Sequence, residues 1–264
     1  MKKILAFLLV LALMLCVVAC APANTNNDNG TSSTPSTPSE PSTPASTAMT
    51  HAEYLAAAQD DAVEIEAYVQ ATQSWYNNAI KIYAQDKTGG GYIGYDIPCT
   101  EEQAAKLVAG TKINIKGYKA YWDGMPEIAS KDAVLTILEG DDIYVAPATD
   151  MTDLLGKVEL LDKVGALAAF KGLTISSITY KNGEPGDDIY VDVTLGDKTF
   201  SFCVERWLTG PDTEVYKAFA ELQAGDKVDI EGFVYWWDVD VVGVPSENGM
   251  GINTHITKVT KVAE

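Results

Sequence analysis

Leu107-Val-Ala-Gly-Thr-Lys-Ile-Asn-Ile-Lys-Gly-Tyr-Lys-Ala-Tyr-Trp-Asp123 and Leu222-Gln-Ala-Gly-Asp-Lys-Val-Asp-Ile-Glu-Gly-Phe-Val-Tyr-Trp-Trp-Asp238 are two versions of one segment. They align without gaps at an offset of 115, with eight of 17 positions identical, Gly117/Gly232 and Trp122/Trp237 among them. Self-similarity at a fixed offset marks an internal repeat, so the chain holds two copies of one domain of about 100 residues. Within each version the apolar set changes face at a glycine. Ile113 and Ile115 give way to Tyr118, Ala120 and Trp122 across Gly117, and Val228 and Ile230 to Phe233, Tyr235 and Trp237 across Gly232. Strand side chains alternate with period two, so a phase slip at a glycine predicts a bulge or a sharp barrel bend.

Outward from the first version, alternation predicts strands over Val63–Thr72, Ala79–Gln85 and Tyr92–Ile97, with a Gly-rich hairpin turn at Asp86–Gly91. Thr100-Glu101-Glu102 opens a short helix that ends at Gly110, and a fifth strand is placed at Ala133–Leu138. The second copy reads as strands Leu173–Tyr180, Asp188–Leu195, Lys198–Val204, Lys227–Trp237 and Thr254–Val262, with a helix near Asp212–Ala224. Met151–Lys163 reads as a short helix joining the copies, whose boundaries are drawn at residues 49–149 and 150–264.

Three strands, a helix and two further strands is the element order of the OB-fold. Through the Gly-x-Lys-(Ile/Val)-x-Ile-x-Gly-aromatic strand and the Gly-rich hairpin, residues 51–264 resemble the tandem OB-fold-like domains of secreted lipoproteins from Gram-positive bacteria. The resemblance implies a mainly β chain with short helices, folded as two tandem five-stranded barrels. It also implies that ligands meet the face of strands two and three and the loops joining strands 1–2 and 4–5. It leaves the ligand open, since one fold hosts many functions.

Ahead of the domains, Lys2 and Lys3 precede an apolar run from Ile4 to Val18, the pattern of a secretory signal. The run is shorter than the ~18–20 residues a spanning helix needs. Val17-Val18-Ala19-Cys20 resembles the lipobox of bacterial lipoproteins. That resemblance implies a diacylglyceryl group on the Cys20 sulfur, cleavage after residue 19, and anchoring to the outer face of the cell membrane. An ordinary secretory signal is the alternative. Of residues 21–47, 17 of 27 are Ser, Thr or Pro without apolar periodicity, so residues 20–48 read as a lipidated Cys and a disordered tether.

The formal charge is −18, and loss of Lys2 and Lys3 would make it −20. Residues 51–149 carry 7 basic against 15 acidic groups, and residues 150–264 carry 10 against 20. Acidity on both copies disfavours nucleic acid, whose phosphates call for clustered Lys and Arg. His51 and His255 are the only histidines, which excludes a His-rich metal site. The acidic pairs Asp141-Asp142 and Asp187-Asp188 read as solvated surface, and no calcium-loop, phosphate-loop or nucleophile motif occurs. No cofactor or metal is expected. Cys99 and Cys203 read as buried free thiols, with a bridge between the copies as the alternative.

The candidate ligand-binding residues are mostly aromatic. Trp75 and Tyr76 lie in the first 1–2 loop with Asn77 and Asn78, Tyr83, Tyr92 and Tyr95 on the strand face, and Asp123 in the 4–5 loop. Trp236 and Asp238 are their partners in the second copy. Aromatic faces beside Asn and Asp suit a sugar or a single strand of nucleic acid. Packing inside the barrels or along their seam competes with that reading. It is the favoured role for Trp122 and Trp237, which are in phase with an apolar face.

The expected function is a surface-anchored, non-enzymatic binding or adaptor module of the cell envelope, with a glycan, a peptide or an envelope protein as ligand. An extracytoplasmic single-stranded nucleic-acid binder is the alternative. A third reading is a hydrolase, which requires two carboxylates converging in one cleft with one of them desolvated.

Overall fold

A computed structural model describes residues 47–122, 124–129, 131–236 and 254–263. The first barrel contains β1 (Ala62–Thr72), β2 (Ala79–Gln85), β3 (Gly91–Pro98), β4 (Lys112–Trp122), β5 (Met125–Ala129) and β6 (Val134–Ile137). Pairings run β1-β2-β3-β5-β4 and return from β4 to β1, which closes five strands into a barrel with β3 and β5 parallel. Two short helices accompany it, α1 (His51–Ala56) and α2 (Glu101–Ala104). Each starts at a threonine in a reciprocal capping box, Thr50 with Glu53 and Thr100 with Gln103. The capping signal at Thr50 is legible in the sequence, but α1 is too brief to show a helical period.

The second barrel repeats the plan. A two-residue strand β7 (Thr149–Asp150) lies parallel to β8 (Leu167–Tyr180), followed by β9 (Ile189–Leu195), β10 (Lys198–Val204), helix α3 (Glu214–Phe219), β11 (Lys227–Phe233) and β12 (Thr254–Lys261). The order β8-β9-β10-β12-β11 closes through β11 and β8, again with the third and fifth strands parallel. Two 3-10 turns, Thr152–Leu154 and Val158–Lys163, occupy the stretch expected to be one joining helix.

The phase slip at Gly232 is a bulge, since the register with β12 shifts between Glu231 and Gly232. A Cβ on Gly232 would lie 2.5 Å from the His255 carbonyl oxygen, so only glycine allows this approach. At Gly117, β4 changes partner instead, pairing with β6 up to Lys116 and with β5 from Lys119. β8 begins at Leu167, six residues before the expected Leu173. Gly172, at φ 65°, marks a second bulge there and interrupts the alternation.

The fifth strand of the first copy corrects the sequence reading. Val134–Ile137 pairs only with β4, and the segment that closes the barrel is Met125–Ala129. Ala129 and His255 occupy matching places beside β3 and β10, and Val134 and Lys258 match across β4 and β11. The first pair of positions lies 134 − 129 = 5 apart and the second 258 − 255 = 3, so two extra residues split the strand. Pro126 and Glu127 hide β5 from a pattern search, because proline is rare within a ladder. The Asp123-Gly124 pair, a two-residue turn signal, is the cue that would have revealed it.

The outer face of β2 is covered by the second barrel. Tyr83, Ile93 and Met125 of the first barrel belong to the core of the second, where Tyr83 stacks on Phe233 at 4.6 Å between centroids. Gln85 accepts from the Leu167 amide at 2.9 Å. At Gly91 and Gly165 backbone meets backbone: a Cβ on Gly91 would fall 2.1 Å from the Ala166 nitrogen, and one on Gly165 2.8 Å from the Tyr92 nitrogen. The two barrels thus form one packed body, and residues 46–264 make one compact unit.

Candidate functional site

Where the barrels meet, they leave a cleft of about 730 Å³. On the first barrel its wall begins at the β1–β2 hairpin. Asn77 (φ 51°) and Asn78 (φ 58°) form the two-residue tip, and Tyr76 and Ala79 exchange hydrogen bonds of 3.0 Å across it. Asparagine tolerates this left-handed conformation, which suits the twist of a hairpin. Tyr76 projects from the tip and is 77% exposed. Trp75 turns back, packing on the core of the first barrel and donating to the Cys99 carbonyl at 3.0 Å.

A bulge shapes the floor. The β2–β3 register pairs Ile82 with Gly94 and Ile80 with Ile97, so Tyr95 and Asp96 together oppose Lys81. Asp96 takes the left-handed conformation that such a bulge needs (φ 49°). Lys81 is buried, yet it lines the cleft. Its Nζ donates to the Tyr235 hydroxyl at 3.0 Å and sits 4.5 and 5.0 Å from the Tyr235 and Tyr95 ring centroids. Burial holds its pKa below the usual lysine value, although Glu205, Glu127 and Asp96 pull it upward.

The second barrel supplies the opposite wall. Glu205 Oε2 accepts from the Trp207 and Leu208 amides at 3.0 and 2.9 Å and from Gln73 Nε2 at 2.9 Å. These bonds hold the turn that presents Trp207, with Arg206 4.5 Å from its ring. Burial pushes the Glu205 carboxyl up to about 7, with the charge of Asp188 adding to the effect. Asp188 faces Lys181 at 2.8 Å. Below them Tyr83 bonds His255 Nδ1 at 2.5 Å and accepts from Gln73 at 3.1 Å, which leaves the Tyr83 hydroxyl proton for the imidazole. Burial keeps His255 well below the usual histidine value, so it is neutral, stacked on Tyr235 at 4.0 Å.

The residues expected from sequence are distributed unequally. Tyr76 and Tyr95 line the cleft, the latter 41% exposed. Tyr83 is fully buried in the seam, so the strand face expected to meet ligand is occupied by the second barrel itself. Tyr92 points the other way, into the first barrel, with its hydroxyl on Asp86 at 3.0 Å. Trp75 is half-buried packing and Trp236 is 2% exposed in the second core. Cys20, Asp123 and Asp238 lie outside the described residues. Cys99 and Cys203 are both buried free thiols.

Trp122, Trp207, Lys81 and Glu205 are among the cleft residues that the sequence does not single out for a ligand. Trp122 is 57% exposed and opens on the cleft, where its phase had suggested packing. That phase is real, but the face it marks beyond Gly117 points outward, with Tyr118 46% exposed, while Lys119 between them is buried. Trp207, 49% exposed, sits in an unpatterned loop. Lys81 carries one cue, a lysine in the strand Ala79-Ile-Lys-Ile-Tyr83, whereas Glu205 carries none. Among the described residues no group of His, Cys, Asp and Glu could hold a metal, and no helix is long and apolar enough to cross a membrane.

No protein-family model matches the sequence, and no curated protein matches it. Among solved structures the chain is similar to Entamoeba histolytica asparaginyl-tRNA synthetase in complex with asparaginyl-adenylate. That likeness has 16% identity and a TM-score of 0.32, and covers 45% of this chain and 24% of the synthetase, about a quarter of its length. It is also similar to a murine DNA binding protein bound with double-stranded DNA (14% identity, 76% of this chain and 100% of that one, TM-score 0.35). A third likeness is to a Replication Protein A heterotrimer bound to single-stranded DNA (11% identity, 67% and 45%, TM-score 0.30). The fold itself is fixed by the strand order, closed twice with parallel third and fifth strands: the chain is a tandem OB-fold protein.

Proposed function

We propose that the chain is a non-catalytic saccharide-binding protein, lipid-anchored through Cys20 to the outer face of a membrane, whose binding site is the cleft between the barrels. One observation carries the ligand class. Tyr76, Tyr95, Trp122 and Trp207, all substantially exposed, open on a single cleft whose remaining lining is mostly polar, with Gln73, Lys81, Asp96, Lys181, Asp188 and Glu205 among it. Exposed aromatic rings stack on the apolar faces of sugar rings, and carboxylates, amides and ammonium groups bond the hydroxyls.

The test is a saccharide array probed with residues 46–264, beside single-stranded oligonucleotides at low salt. Saccharide retention lost in Trp122→Ala and Trp207→Ala is expected. Retention of oligonucleotide alone would replace the sugar by nucleic acid. For the anchor, Cys20→Ala should release the protein from membranes or block its maturation, and unchanged retention would remove that part.

A second reading, hydrolysis, is favoured by one specific observation. Burial pushes both Glu127 and Glu205 up to about 7, and both act on Lys81. Against it, Glu205 Oε2 is committed to three donors, and Glu127 does not line the cleft. Release of reducing ends that stops in Glu205→Gln would establish this reading over simple binding.

A further inference from the structure

We propose, resting on the saccharide reading of the cleft, that the sugar it takes is acidic and that Lys81 on the cleft floor receives its carboxylate. An ammonium has three N–H groups. The other deeply buried lysine, Lys119, shows what structural satisfaction looks like. Its Nζ donates to the carbonyls of Tyr54, Leu55 and Ala57 at 2.8, 2.6 and 2.8 Å, closing the end of α1. Lys81 is 8% exposed and has one hydrogen-bond partner among the described residues, the Tyr235 hydroxyl, with two ring faces beside it. No carboxylate among the described residues forms an ion pair with it, whereas Lys181, on the same cleft, has Asp188 at 2.8 Å. An ammonium that the described residues leave half-satisfied is costly to bury, and an anionic group in the cleft would complete it.

The surroundings select the kind of anion. Asp96 from β3, Glu127 from β5 and Glu205 from the second barrel act on Lys81 from beyond contact, and Tyr95, Tyr235 and His255 supply neutral faces. A compact single charge fits among these carboxylates better than a doubly charged phosphate. A sugar carboxylate meets that condition while its ring lies against Trp122 or Trp207. Burial pushes Glu205 and Glu127 alike up to about 7, so binding should weaken as both ionise with rising pH.

The test uses residues 46–264 with oligogalacturonate, hyaluronan oligomers and alginate oligomers, each beside its carboxyl-reduced neutral form, by titration calorimetry at pH 6. The expected result is that at least one acid binds tenfold or more tighter than its reduced form, and that Lys81→Met makes the two equal. Equal binding of acid and reduced sugar by the unaltered protein overturns the inference and leaves the saccharide cleft standing. Binding of none overturns both. A preference for acid that survives in Lys81→Met removes the assignment to Lys81. The comparison on the unaltered protein decides the sugar class even if the variant does not fold.

Discussion

The two barrels use the same repeated segment in opposite ways. With the offset of 115, Tyr118 corresponds to Phe233, Lys119 to Val234, and Tyr121 to Trp236. In the second barrel all three positions are buried, and Phe233 stacks on Tyr83 of the first. In the first barrel Tyr118 and Tyr121 are exposed, Trp122 opens on the cleft, and Lys119 turns inward to cap α1. One copy of an aromatic strand end has become glue between domains, and the other remains a free platform. One sequence pattern thus supplies both an interface and an exposed aromatic face. Burial, not identity, separates their roles.

The largest effect expected from breaking this comparison is at Trp236. Trp236→Ala removes a 2% exposed indole from the core that joins the barrels. Such truncations cost about 3–5 kcal/mol, and relief of an indole N–H without a partner among the described residues offsets part of that. Chemical denaturation should show a loss of about 3 kcal/mol. Gly91→Val probes the same seam from the backbone, since a Cβ there lies 2.1 Å from the Ala166 nitrogen. Overpacking against backbone that cannot yield should cost about 3 kcal/mol and split one unfolding transition into two. A single unchanged transition in Gly91→Val would show that the seam is not a rigid contact.

The extent to which sequence discloses this molecule follows from the same contrast. Both barrels were legible because strand alternation and the repeat are local, and β2, β9 and β10 fall within a residue of their expected places. β5 was not legible, because Pro126 and Glu127 break alternation and only its parallel pairing to β3 makes it a strand. The site was half legible. Tyr76 and Tyr95 follow from loop and strand position, whereas Lys81, Glu205 and His255 acquire meaning only when the second barrel covers β2 and removes water from them. Tyr83 and Tyr92 differ for a reason alternation does contain: Tyr83 pairs with Ile93 and Ala84 with Tyr92, so the two tyrosines face opposite sides of the sheet.

A smaller effect, with a sign set by pH, is expected at Glu127. It is 5% exposed, its Oε2 has no partner among the described residues, and burial pushes it up to about 7 from 4.5. The folded state therefore holds a proton that the unfolded chain releases. The stability this contributes is complete below about pH 4.5 and is lost as pH rises through 7. Glu127→Gln keeps the shape of the neutral acid and should stabilise the protein by about 2 kcal/mol at pH 8.5, with little change at pH 5. Equal effects at both pH values would mean that the carboxyl is ionised in the folded protein. The first barrel holds this titrating strain on β5, and the matched strand of the second, β12, holds neutral His255 at the seam. That imidazole works in the other direction. Its lowered pKa makes stability fall as pH drops below about 6.5, the unfolded histidine value.

The smallest stability effect should come from Tyr121, the counterpart of Trp236. At 42% exposure it contributes little buried area, so Tyr121→Ala should change unfolding free energy by less than about 0.5 kcal/mol. The small number is informative because the neighbouring Trp122→Ala should share it while losing saccharide retention. If exposed aromatics of the first copy were a docking surface completed only by a further chain, both variants would alter self-association. If they are a sugar platform, Trp122→Ala alone should change ligand affinity, since Trp122 lines the cleft and Tyr121 does not. Affinity and stability would then part at adjacent residues of one strand. At Tyr235 in the second copy they cannot part, because that side chain both packs the seam and holds Lys81.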